Sequence, residues 1–418
     1  MSGRAEPYGP EGLPVAQARA QVLEAMAQRP GPAGETLPLD RCLGRVCQRP
    51  VQAVAAVPGF RASIMDGYAL GQTHQPTIGD RWTLCGRSAP GAPFDATLQP
   101  GEAIRILTGA PLPEGAGWVL PQELIQRQGD SISLDREASA SPWIRPADEE
   151  CRAGDILLEA GTRLSAAMLG RLAGCGVPSI SVTVQPRIGL LISGDELVAS
   201  GDERPPGAIW ESNSTLLSAL LEQLGYRIHH QRIECDQPEA LRSALQDLAS
   251  RCDVVVTTGG VSAGDSDWIR PLVQELGEVN FWKLFLKPGR PFAFGWIGPQ
   301  VPFFGLPGNP VAAAVTTLQL LWPALQRLEG QHPLETPPRL KVELATGYRR
   351  RAGRPELARA RLEIGEHGQP RARIDGSQAS SRIGSLQGAD LLLEIPADAG
   401  PLDPGTELWA QLLRRPLL

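Results

Sequence analysis

The clearest sequence evidence for the fold class of this chain is the segment Asp253-Val-Val-Val-Thr-Thr-Gly-Gly-Val-Ser-Ala-Gly-Asp-Ser-Asp267. An apolar run that breaks into glycines and then into a helix predicts a buried strand of an α/β sheet. Its end forms a turn in which backbone N–H groups can approach an anion. We therefore expect Gly259, Gly260, Ser262 and Gly264 to bind a phosphate-like group of a substrate.

Two lysines follow this turn. The segment Phe281-Trp-Lys-Leu-Phe-Leu-Lys287 predicts another strand, and Lys283 and Lys287 share one of its faces because side chains alternate along a strand. The chain contains 3 lysines and 37 arginines, so this pair is unusual for its composition. An ammonium group acts on an oxyanion as a point charge. The alternative is that both lysines are solvated, surface-facing strand ends.

A second turn leads into another predicted helix. Leu306-Pro-Gly-Asn-Pro310 precedes the apolar run 311–321, and Pro310 stands near the first helical position, where proline is favoured. In open α/β sheets, ligands gather at the carboxyl ends of the strands. We therefore expect both turns to lie at one edge of the sheet and to face the same ligand.

Carboxylates also fall at the predicted strand ends, namely Asp195, Glu196, Asp236 and Asp267. Oxygen ligands beside a phosphate suggest Mg²⁺. Two of these residues have a second interpretation as helix N-caps. Asp236 opens the capping-box pattern Asp236-Gln-Pro-Glu239, and Asp267 precedes the next predicted helix.

The composition predicts a globular protein without general affinity for nucleic acid. Hydrophobic residues make up 42% of the chain and charged residues 21%, as in ordinary globular domains. The net charge of −6 argues against binding to nucleic acid or to anionic membranes. The 7 cysteines are scattered without a CxxC pair, so we expect neither a disulfide framework nor a zinc site. Residues 1–14 lack a signal pattern and no apolar run reaches membrane-spanning length, which predicts the cytoplasm.

At 418 residues the chain is too long for one ordinary core. Strands and helices alternate from residue 185 to 330, which predicts an α/β domain with a parallel-dominated sheet. Short strands separated by Gly, Pro and Asp predict an inserted β-rich domain over residues 54–142 and a C-terminal β domain over 331–418. Residues 12–53 and 143–184 are expected to form one elongated domain in two pieces.

The order of the motifs resembles that of the molybdopterin molybdenumtransferases, the MoeA type, which are related to the gephyrin E domain. The motifs are Ser63-Ile-Met-Asp-Gly-Tyr-Ala69, Thr108-Gly-Ala-Pro-Leu-Pro113, Ser193-Gly-Asp-Glu-Leu197, Pro206-Gly-Ala-Ile-Trp-Glu-Ser-Asn213, Thr258-Gly-Gly-Val-Ser262, Lys287-Pro-Gly-Arg-Pro291 and Leu306-Pro-Gly-Asn-Pro310. The resemblance implies a molybdopterin-binding α/β domain, the two-piece and inserted domains already described, and a C-terminal domain that is a β barrel.

The resemblance also implies an activity. The family inserts molybdate into adenylylated molybdopterin with a divalent cation such as Mg²⁺ and releases AMP, which is the final step of molybdenum cofactor synthesis. It further implies a homodimer, in which the inserted domain of one subunit faces the site of the other. Transient contacts with a molybdopterin adenylyltransferase and with molybdoenzymes follow from the same resemblance.

Site roles carried over by motif are those that the resemblance implies. Asp66 and Thr108 are assigned to the wall that the partner subunit contributes to the site. The local sequence by itself predicts only a turn at Asp66 and a strand end at Thr108. Glu196, Asp236 and Asp267 are assigned to the acidic part of the site, which would hold the metal, and Lys283 and Lys287 to the part that binds the anion. The turn that positions the ligand contains Pro307, Gly308, Asn309 and Pro310. Arg359 and Ser380 are assigned as molybdate contacts.

Several positions depart from the family pattern. Glu150 stands where the family has aspartate, Gly117 replaces another aspartate, Ala312 replaces a serine, and Arg290 replaces a lysine. These departures leave room for reduced activity or an altered substrate. Two other functions therefore remain open: a molybdopterin adenylyltransferase, and a molybdopterin-binding carrier or scaffold without turnover.

Overall fold

The computed structural model describes residues 12–261 and 267–413. Within these described ranges the chain divides into two compact units. Of the described residues, the first unit comprises 12–49, 160–166, 181–261 and 267–413, and the second comprises 50–159 and 167–180. None of the helices in the described ranges combines the length and apolar character that a membrane span needs.

The first unit begins with a short strand and a helix. These elements are β1 (Leu13–Pro14), α1 (Val15–Ala27) and β2 (Gly34–Pro38). Helix α1 is amphipathic. It buries Ala18, Val22 and Met26, which recur at intervals of four residues and form one face of the helix.

The second unit is rich in short strands, as predicted. The elements that follow β2 in chain order are β3 (Val51–Gln52), β4 (Ala62–Ser63), β5 (Gly67–Leu70), β6 (Arg81–Ser88), β7 (Glu102–Ile106), β8 (Trp118–Pro121), β9 (Ile125–Gln128), β10 (Ser131–Leu134), β11 (Ile144–Arg145), β12 (Ile156–Leu158), α2 (Ala166–Gly174) and β13 (Ser179–Thr183). The main sheet has the order β8-β5-β7-β6-β10-β9. Strand β4 pairs with β11, and β3 pairs with β12.

The predicted α/β sheet lies in the first unit. Its elements are β14 (Ile188–Ser193), β15 (Leu197–Val198), β16 (Ile209–Trp210), α3 (Asn213–Gln223), β17 (Ile228–Glu234), α4 (Pro238–Arg251), β18 (Val254–Thr258), α5 (Ile269–Leu276), β19 (Gly277–Trp282), β20 (Leu284–Phe285), β21 (Ala293–Ile297) and β22 (Val301–Leu306). The sheet order is β17-β14-β18-β22-β21-β19. Strands β17, β14, β18 and β22 are mutually parallel, whereas β21 and β19 add antiparallel pairs. Every residue of β18 is buried, as expected for a strand covered on both faces.

The prediction of one continuous strand from Phe281 to Lys287 is wrong. Lys283 has a φ of 72°, in the left-handed region that side chains other than glycine rarely adopt. Its N–H donates to the Phe292 carbonyl at 2.9 Å, and its carbonyl accepts from Leu13 at 3.0 Å. These two partners belong to different parts of the chain, so the backbone turns at Lys283 and the predicted shared face of the lysines is lost.

The capping-box prediction at Asp236 is also wrong. Helix α4 begins at Pro238 and its N-cap is Gln237, without a side-chain cap among the described residues. Proline lacks an N–H and fits the first helical position, which moves the start of the helix beyond Asp236. The N-cap interpretation of Asp236 is therefore excluded. At the start of α5 the assigned N-cap is Trp268, whose own backbone is helical, and Asp267 directly precedes it.

The chain ends in helices and a barrel. The remaining elements are α6 (Pro310–Thr316), a π-helical turn (Thr317–Leu321), α7 (Trp322–Leu328), β23 (Arg339–Leu344), β24 (Glu356–Ile364), β25 (Pro370–Arg373), β26 (Leu391–Ile395) and β27 (Glu407–Leu412). Asn309 is the N-cap of α6 and Pro310 its first residue, as predicted. Strands β23-β25-β24-β26-β27 close into a barrel, which confirms the C-terminal β barrel.

Candidate active site

The turn after β18 approaches β14 so closely that its glycines cannot be replaced. Gly259 and Gly260 have φ values of 89° and 62°. A Cβ atom on Gly259 would lie 2.5 Å from the Ser193 carbonyl oxygen, and one on Gly260 would lie 2.6 Å from Ile269. The backbone of this turn therefore lies against the carboxyl end of β14, where ligands of α/β sheets bind. The predicted contacts Ser262 and Gly264 lie outside the described residues.

The turns after β18 and β22 contact each other. An added Cβ on Gly308 would lie 3.5 Å from the Gly259 Cα. Asn213, the first residue of α3, joins the same strand ends: its amide donates to Thr258 Oγ1 at 3.2 Å and to the Gly308 carbonyl at 2.8 Å. Pro307 is buried, and Gly308 and Asn309 are exposed. The structure thus brings the two sequence-predicted turns together at one edge of the sheet.

Carboxylates line the neighbouring strand ends. The Asp236 backbone N–H donates to Asp195 Oδ1 at 2.9 Å. Burial raises the pKa of Asp236 above its ordinary value, and the charges of Asp195 and Glu196 raise it further. Asp236 Oδ1 is buried and accepts no hydrogen bond from the described residues. A bound cation would supply the partner that this oxygen lacks and would relieve the repulsion between the carboxylates.

A complete metal site is not formed by the protein alone in the part of the chain that the structure describes. No group of three His, Cys, Asp or Glu side chains within residues 12–261 and 267–413 is arranged to hold a metal ion. Asp267 follows the undescribed residues 262–266. The acidic group fits a cation that takes its remaining oxygen ligands from a substrate phosphate, which is how Mg²⁺ commonly binds.

Lys283 and Lys287 have different partners. Lys283 Nζ lies 3.9 Å from the centre of the Trp282 ring. Lys287 Nζ forms an ion pair of 3.0 Å with Glu356, whose side chain is only 1% exposed. Glu356 also accepts from Tyr348 at 2.9 Å and lies 3.5 Å from Arg350. The view of Lys287 as a solvated strand end is therefore wrong, because its ammonium neutralises a buried carboxylate of the barrel.

The barrel places Arg359 beside the turn after β22. The Arg359 side chain is 2% exposed; Nε donates to Ser385 at 3.1 Å and Nη2 to the Ala379 carbonyl at 3.2 Å. The next residue, Ser380, accepts the Val311 N–H through its backbone carbonyl at 3.1 Å. The loop that contains Ser380 thus contacts the beginning of α6, and Arg359 binds the preceding residue of the same loop, Ala379.

The guanidinium of Arg359 is incompletely paired. Burial lowers its pKa below the ordinary value. Its Nη1 is buried and finds no hydrogen-bond partner within the described residues. Arg359 lines a cavity of about 180 Å³, whose other charged lining residues are Arg382 and the ion pair of Arg361 with Asp375 at 3.2 Å. A buried donor without an acceptor costs free energy, so this side of the barrel can bind an anion.

Asp66 and Thr108 form a pair within the second unit. Asp66 Oδ1 accepts from both the backbone N–H and the hydroxyl of Thr108, each at 2.7 Å. The Thr108 N–H, followed by its hydroxyl, lowers the pKa of Asp66 below the ordinary value. Both residues are exposed. The sequence motifs that contain them are therefore joined, and together they present a fixed, charged carboxylate at the surface.

Family models cover most of the chain. The MoeA N-terminal region (domain I and II) matches residues 13–176, a probable molybdopterin binding domain matches 189–327, and the MoeA C-terminal region (domain IV) matches 341–413. The molybdopterin molybdenumtransferase of Haemophilus influenzae is 33% identical over 397 residues, which cover 94% of this chain and 96% of the relative. This chain belongs to the molybdopterin molybdenumtransferase family.

Other members agree in sequence and fold. Molybdopterin molybdenumtransferase 2 of Mycobacterium tuberculosis is 31% identical over 386 residues, covering 89% of this chain and 93% of that protein. The crystal structure of the molybdopterin biosynthesis MoeA protein from Pyrococcus horikoshii OT3 is similar with a TM-score of 0.81 and 25% identity. It covers 96% of this chain, and 99% of that chain is matched. The multidomain MoeA fold is therefore the fold of this family member.

The departures from the molybdenumtransferase pattern have local explanations. Glu150 pairs with Arg171 at 2.7 Å within the second unit. Gly117 cannot hold an aspartate in this backbone, because a Cβ would lie 2.5 Å from the Gln72 carbonyl. Ala312 is buried in α6, and its carbonyl accepts from Thr316 at 2.9 Å. Nothing in the structure explains Arg290 in place of the family's lysine.

Asn213, Glu356 and Trp282 are functional-site residues for which the sequence predicted no role. Asn213 ends one of the motifs shared with the molybdenumtransferases, so its position could have been found from that motif. Glu356 stands in an ordinary Arg-Pro-Glu context, and only its burial reveals its importance. Trp282 was included only as part of a strand, because the turn at Lys283 was not anticipated.

Proposed function

We propose that this protein inserts molybdate into adenylylated molybdopterin and releases AMP. The observation that carries the proposal is the junction of the sheet-edge turns with the barrel, where the Val311 N–H donates to the Ser380 carbonyl at 3.1 Å. A pterin nucleotide requires backbone donors for its phosphates, and molybdate requires cations for its oxygens. The contact of α6 with the loop that contains Ser380 supports the assignment of both kinds of group to one site.

The oxyanion is assigned to the barrel side. Arg359 carries a buried Nη1 that needs an acceptor, and Ser380 fixes the adjoining loop. Lys283 and Lys287 add positive charge on the sheet side, although Lys287 acts mainly by neutralising Glu356. A tetrahedral dianion fits such a group of cations because each oxygen can accept a charge-assisted hydrogen bond.

The pterin nucleotide is assigned to the sheet edge. We assign Gly259 and Gly260, with the sequence-based candidates Ser262 and Gly264, to the first phosphate-binding segment, and Pro307, Gly308, Asn309 and Pro310 to the second. The hydrogen bonds of Asn213 to both strand ends keep the described parts of these turns in register. Donors that are fixed before binding lose little freedom on binding, which favours affinity.

Mg²⁺ is assigned to Glu196, Asp236 and Asp267. Bound there, it would neutralise charge on the phosphates and the carboxylates together. Because asparagine can still cap a helix but carries no charge, Asp236→Asn and Asp267→Asn should fold normally, bind the pterin nucleotide and release AMP more slowly. If both variants release AMP at the wild-type rate at limiting Mg²⁺, the assignment of the metal to this site is wrong.

The second unit is assigned to the site of a partner subunit. Asp66 and Thr108 form a fixed, exposed pair, which suits a wall that completes another copy's site. We therefore expect a homodimer in the cytoplasm, with transient contacts to a molybdopterin adenylyltransferase and to molybdoenzymes. Sedimentation at micromolar concentration tests the dimer; a monomer alone would contradict the shared site.

The activity test measures AMP after adenylylated molybdopterin is mixed with the protein and Mg²⁺, with and without molybdate. We expect molybdate-dependent AMP release. Arg359→Lys keeps the charge but loses the planar fork, and Arg359→Met loses both, so the KM for molybdate should rise by about tenfold or more in the Met variant and less in the Lys variant.

The same assay separates the other functions. Binding of the pterin nucleotide without AMP release would indicate a carrier or scaffold. Formation of adenylylated molybdopterin from molybdopterin and ATP would indicate an adenylyltransferase. Either result would replace the proposed activity.

A further inference from the structure

Trp282 contacts the cations on the sheet side of the candidate site. Lys283 Nζ lies 3.9 Å from the ring centre and the Arg270 guanidinium carbon lies 4.2 Å from it. These distances are within the range of cation–π attraction. The indole Nε1 donates to the Val261 carbonyl at 2.7 Å. One half-buried side chain thus contacts the lysine and also holds the residue after Gly260.

The backbone of Lys283 is fixed independently of its side chain. Its φ of 72° is maintained by the hydrogen bonds to Phe292 and Leu13. A left-handed residue directs its side chain differently from a strand residue. Glycine would adopt this φ without strain, but the chain has a lysine at this position. The orientation that the strained backbone gives the lysine side chain is therefore a candidate for function.

The connection to the phosphate turn is short. Val261 directly follows Gly259 and Gly260, whose backbone approaches Ser193 at the end of β14. The hydrogen bond from Trp282 fixes the Val261 carbonyl, and the ring face contacts Lys283. The indole therefore couples the position of a cation to the position of a turn that is expected to bind a substrate anion.

We propose that Trp282 is a positioning residue, which holds the Lys283 ammonium beside the Gly259–Val261 turn for a substrate oxyanion. Arg270 at the same ring raises the local positive potential and so favours anionic ligands. The ammonium is preplaced because ring and backbone together restrict its conformations. The part that Trp282 has in turnover depends on the function proposed above; the contact with Lys283 and the binding of an anion do not.

The composition offers a direct test of the contact. Reductive methylation with ¹³C-formaldehyde labels only 3 lysines and the N-terminal amine, and it keeps their charge. Methyl groups over an indole face are shifted upfield by the ring current. Lys341 Nζ also lies 5.9 Å from the centre of the Trp409 ring, so the Lys283 signal is identified by its loss in Lys283→Arg. We expect that signal to be upfield in the wild type, to move to the position of an exposed lysine in Trp282→Leu, and to stay shifted in Trp282→Phe. An unshifted Lys283 signal in the wild type would overturn the proposal.

Controls are present in the same spectrum. The Lys287 and Lys341 signals should not move in either Trp282 variant, since these lysines contact Glu356 and Glu407. Their constancy shows that the fold is intact. If Trp282→Leu does not fold, Trp282→Phe still tests the proposal: it keeps a ring face but loses the hydrogen bond to Val261. Its Lys283 signal must remain upfield for the proposal to stand.

Anion binding is then read from the Lys283 signal during titration with inorganic phosphate and with molybdate. We expect the apparent Kd to rise about two- to fivefold in Trp282→Leu and to be largely restored in Trp282→Phe. In turnover, the KM should change and kcat should not. Unchanged anion affinity after the Lys283 signal has moved would contradict the positioning role. Normal titrations without any AMP release would instead count against the proposed activity.

Discussion

The regions around Lys283 and Lys287 use the same side chain in opposite ways. At Lys283 the backbone is strained and the ammonium lies against an aromatic ring. At Lys287 the ammonium forms an ion pair with Glu356, which is the first residue of β24. This ion pair joins the sheet domain to the barrel. The spacing of two lysines in a sequence therefore does not define one anion site. Their contacts differ: Lys287 neutralises a buried carboxylate of the barrel, whereas Lys283 lies against the ring of the neighbouring Trp282.

The largest effect is expected at the buried partner of Lys287. Glu356→Leu should lower the free energy of unfolding by about 3 kcal/mol or more, because the charge of Arg350, 3% exposed, is left buried without its carboxylate. Urea denaturation measures this loss. Glu356→Gln is the matched control that keeps the shape and a hydrogen-bond acceptor for Tyr348. A loss below about 1 kcal/mol in the Leu variant would show that the network is not a structural junction.

The lysines themselves give the next largest difference. From the sequence, removal of either lysine is expected to change stability by roughly ±0.5 kcal/mol. The structure retains this expectation for Lys283 only. Lys287→Met should cost about 1–2 kcal/mol, since Glu356 keeps Tyr348 and Arg350 but loses its nearest cation. Equal unfolding free energies for Lys283→Met and Lys287→Met would end the distinction between the two regions.

Backbone strain at Lys283 predicts a smaller effect with an unusual sign. Lys283→Gly should be more stable than Lys283→Ala by about 1 kcal/mol, because glycine adopts a φ of 72° without a Cβ penalty. Both variants lack the ammonium, so the comparison isolates the backbone. Thermal unfolding of the pair measures it. If alanine proves the more stable, the left-handed conformation is not a source of strain.

The smallest effect is expected at Asp236, whose charged neighbours are carboxylates, whereas those of Glu356 are cations. The pKa of Asp236 is raised in the folded protein by burial and by Asp195 and Glu196. Its contribution to stability is therefore present at acid pH and is lost as the pH rises through that pKa. Relative to wild type, Asp236→Asn should gain melting temperature at pH 7–8, and the gain should fade below about pH 4. A gain independent of pH would assign the effect to packing.

Local patterns in the sequence predicted the elements whose signals are local. The apolar run before Gly259 predicted β18, and Pro310 predicted the start of α6. The predicted turns at Gly259 and Gly308 meet at the sheet edge because parallel strands end on the same side. These features needed no knowledge of distant contacts.

The errors arose where a distant partner overrides the local pattern. Lys283 alternates correctly with its neighbours in sequence, but Leu13 and Phe292 bind its backbone and turn it. Asp236 has good capping chemistry, but Pro238 delays the helix and Asp195 takes its N–H. The inclusion of Arg359 and Ser380 among the candidate site residues followed only from resemblance to the family, because no spacing rule connects a barrel loop with a helix start.

The pairing of β1 with β20 has a consequence for the order in which the protein is made. Leu13 aligns with Leu284, and the Leu13 N–H is the donor that fixes the Lys283 carbonyl. A ribosome adds roughly 5–20 residues per second, so β20 emerges roughly 15 to 55 seconds after Leu13. During that interval the nascent β1 has no strand partner, and the left-handed turn at Lys283 cannot form until the beginning and the later part of the chain meet. The geometry of the anion side is therefore completed late in translation, after the sheet strands β14, β17 and β18 have been synthesised.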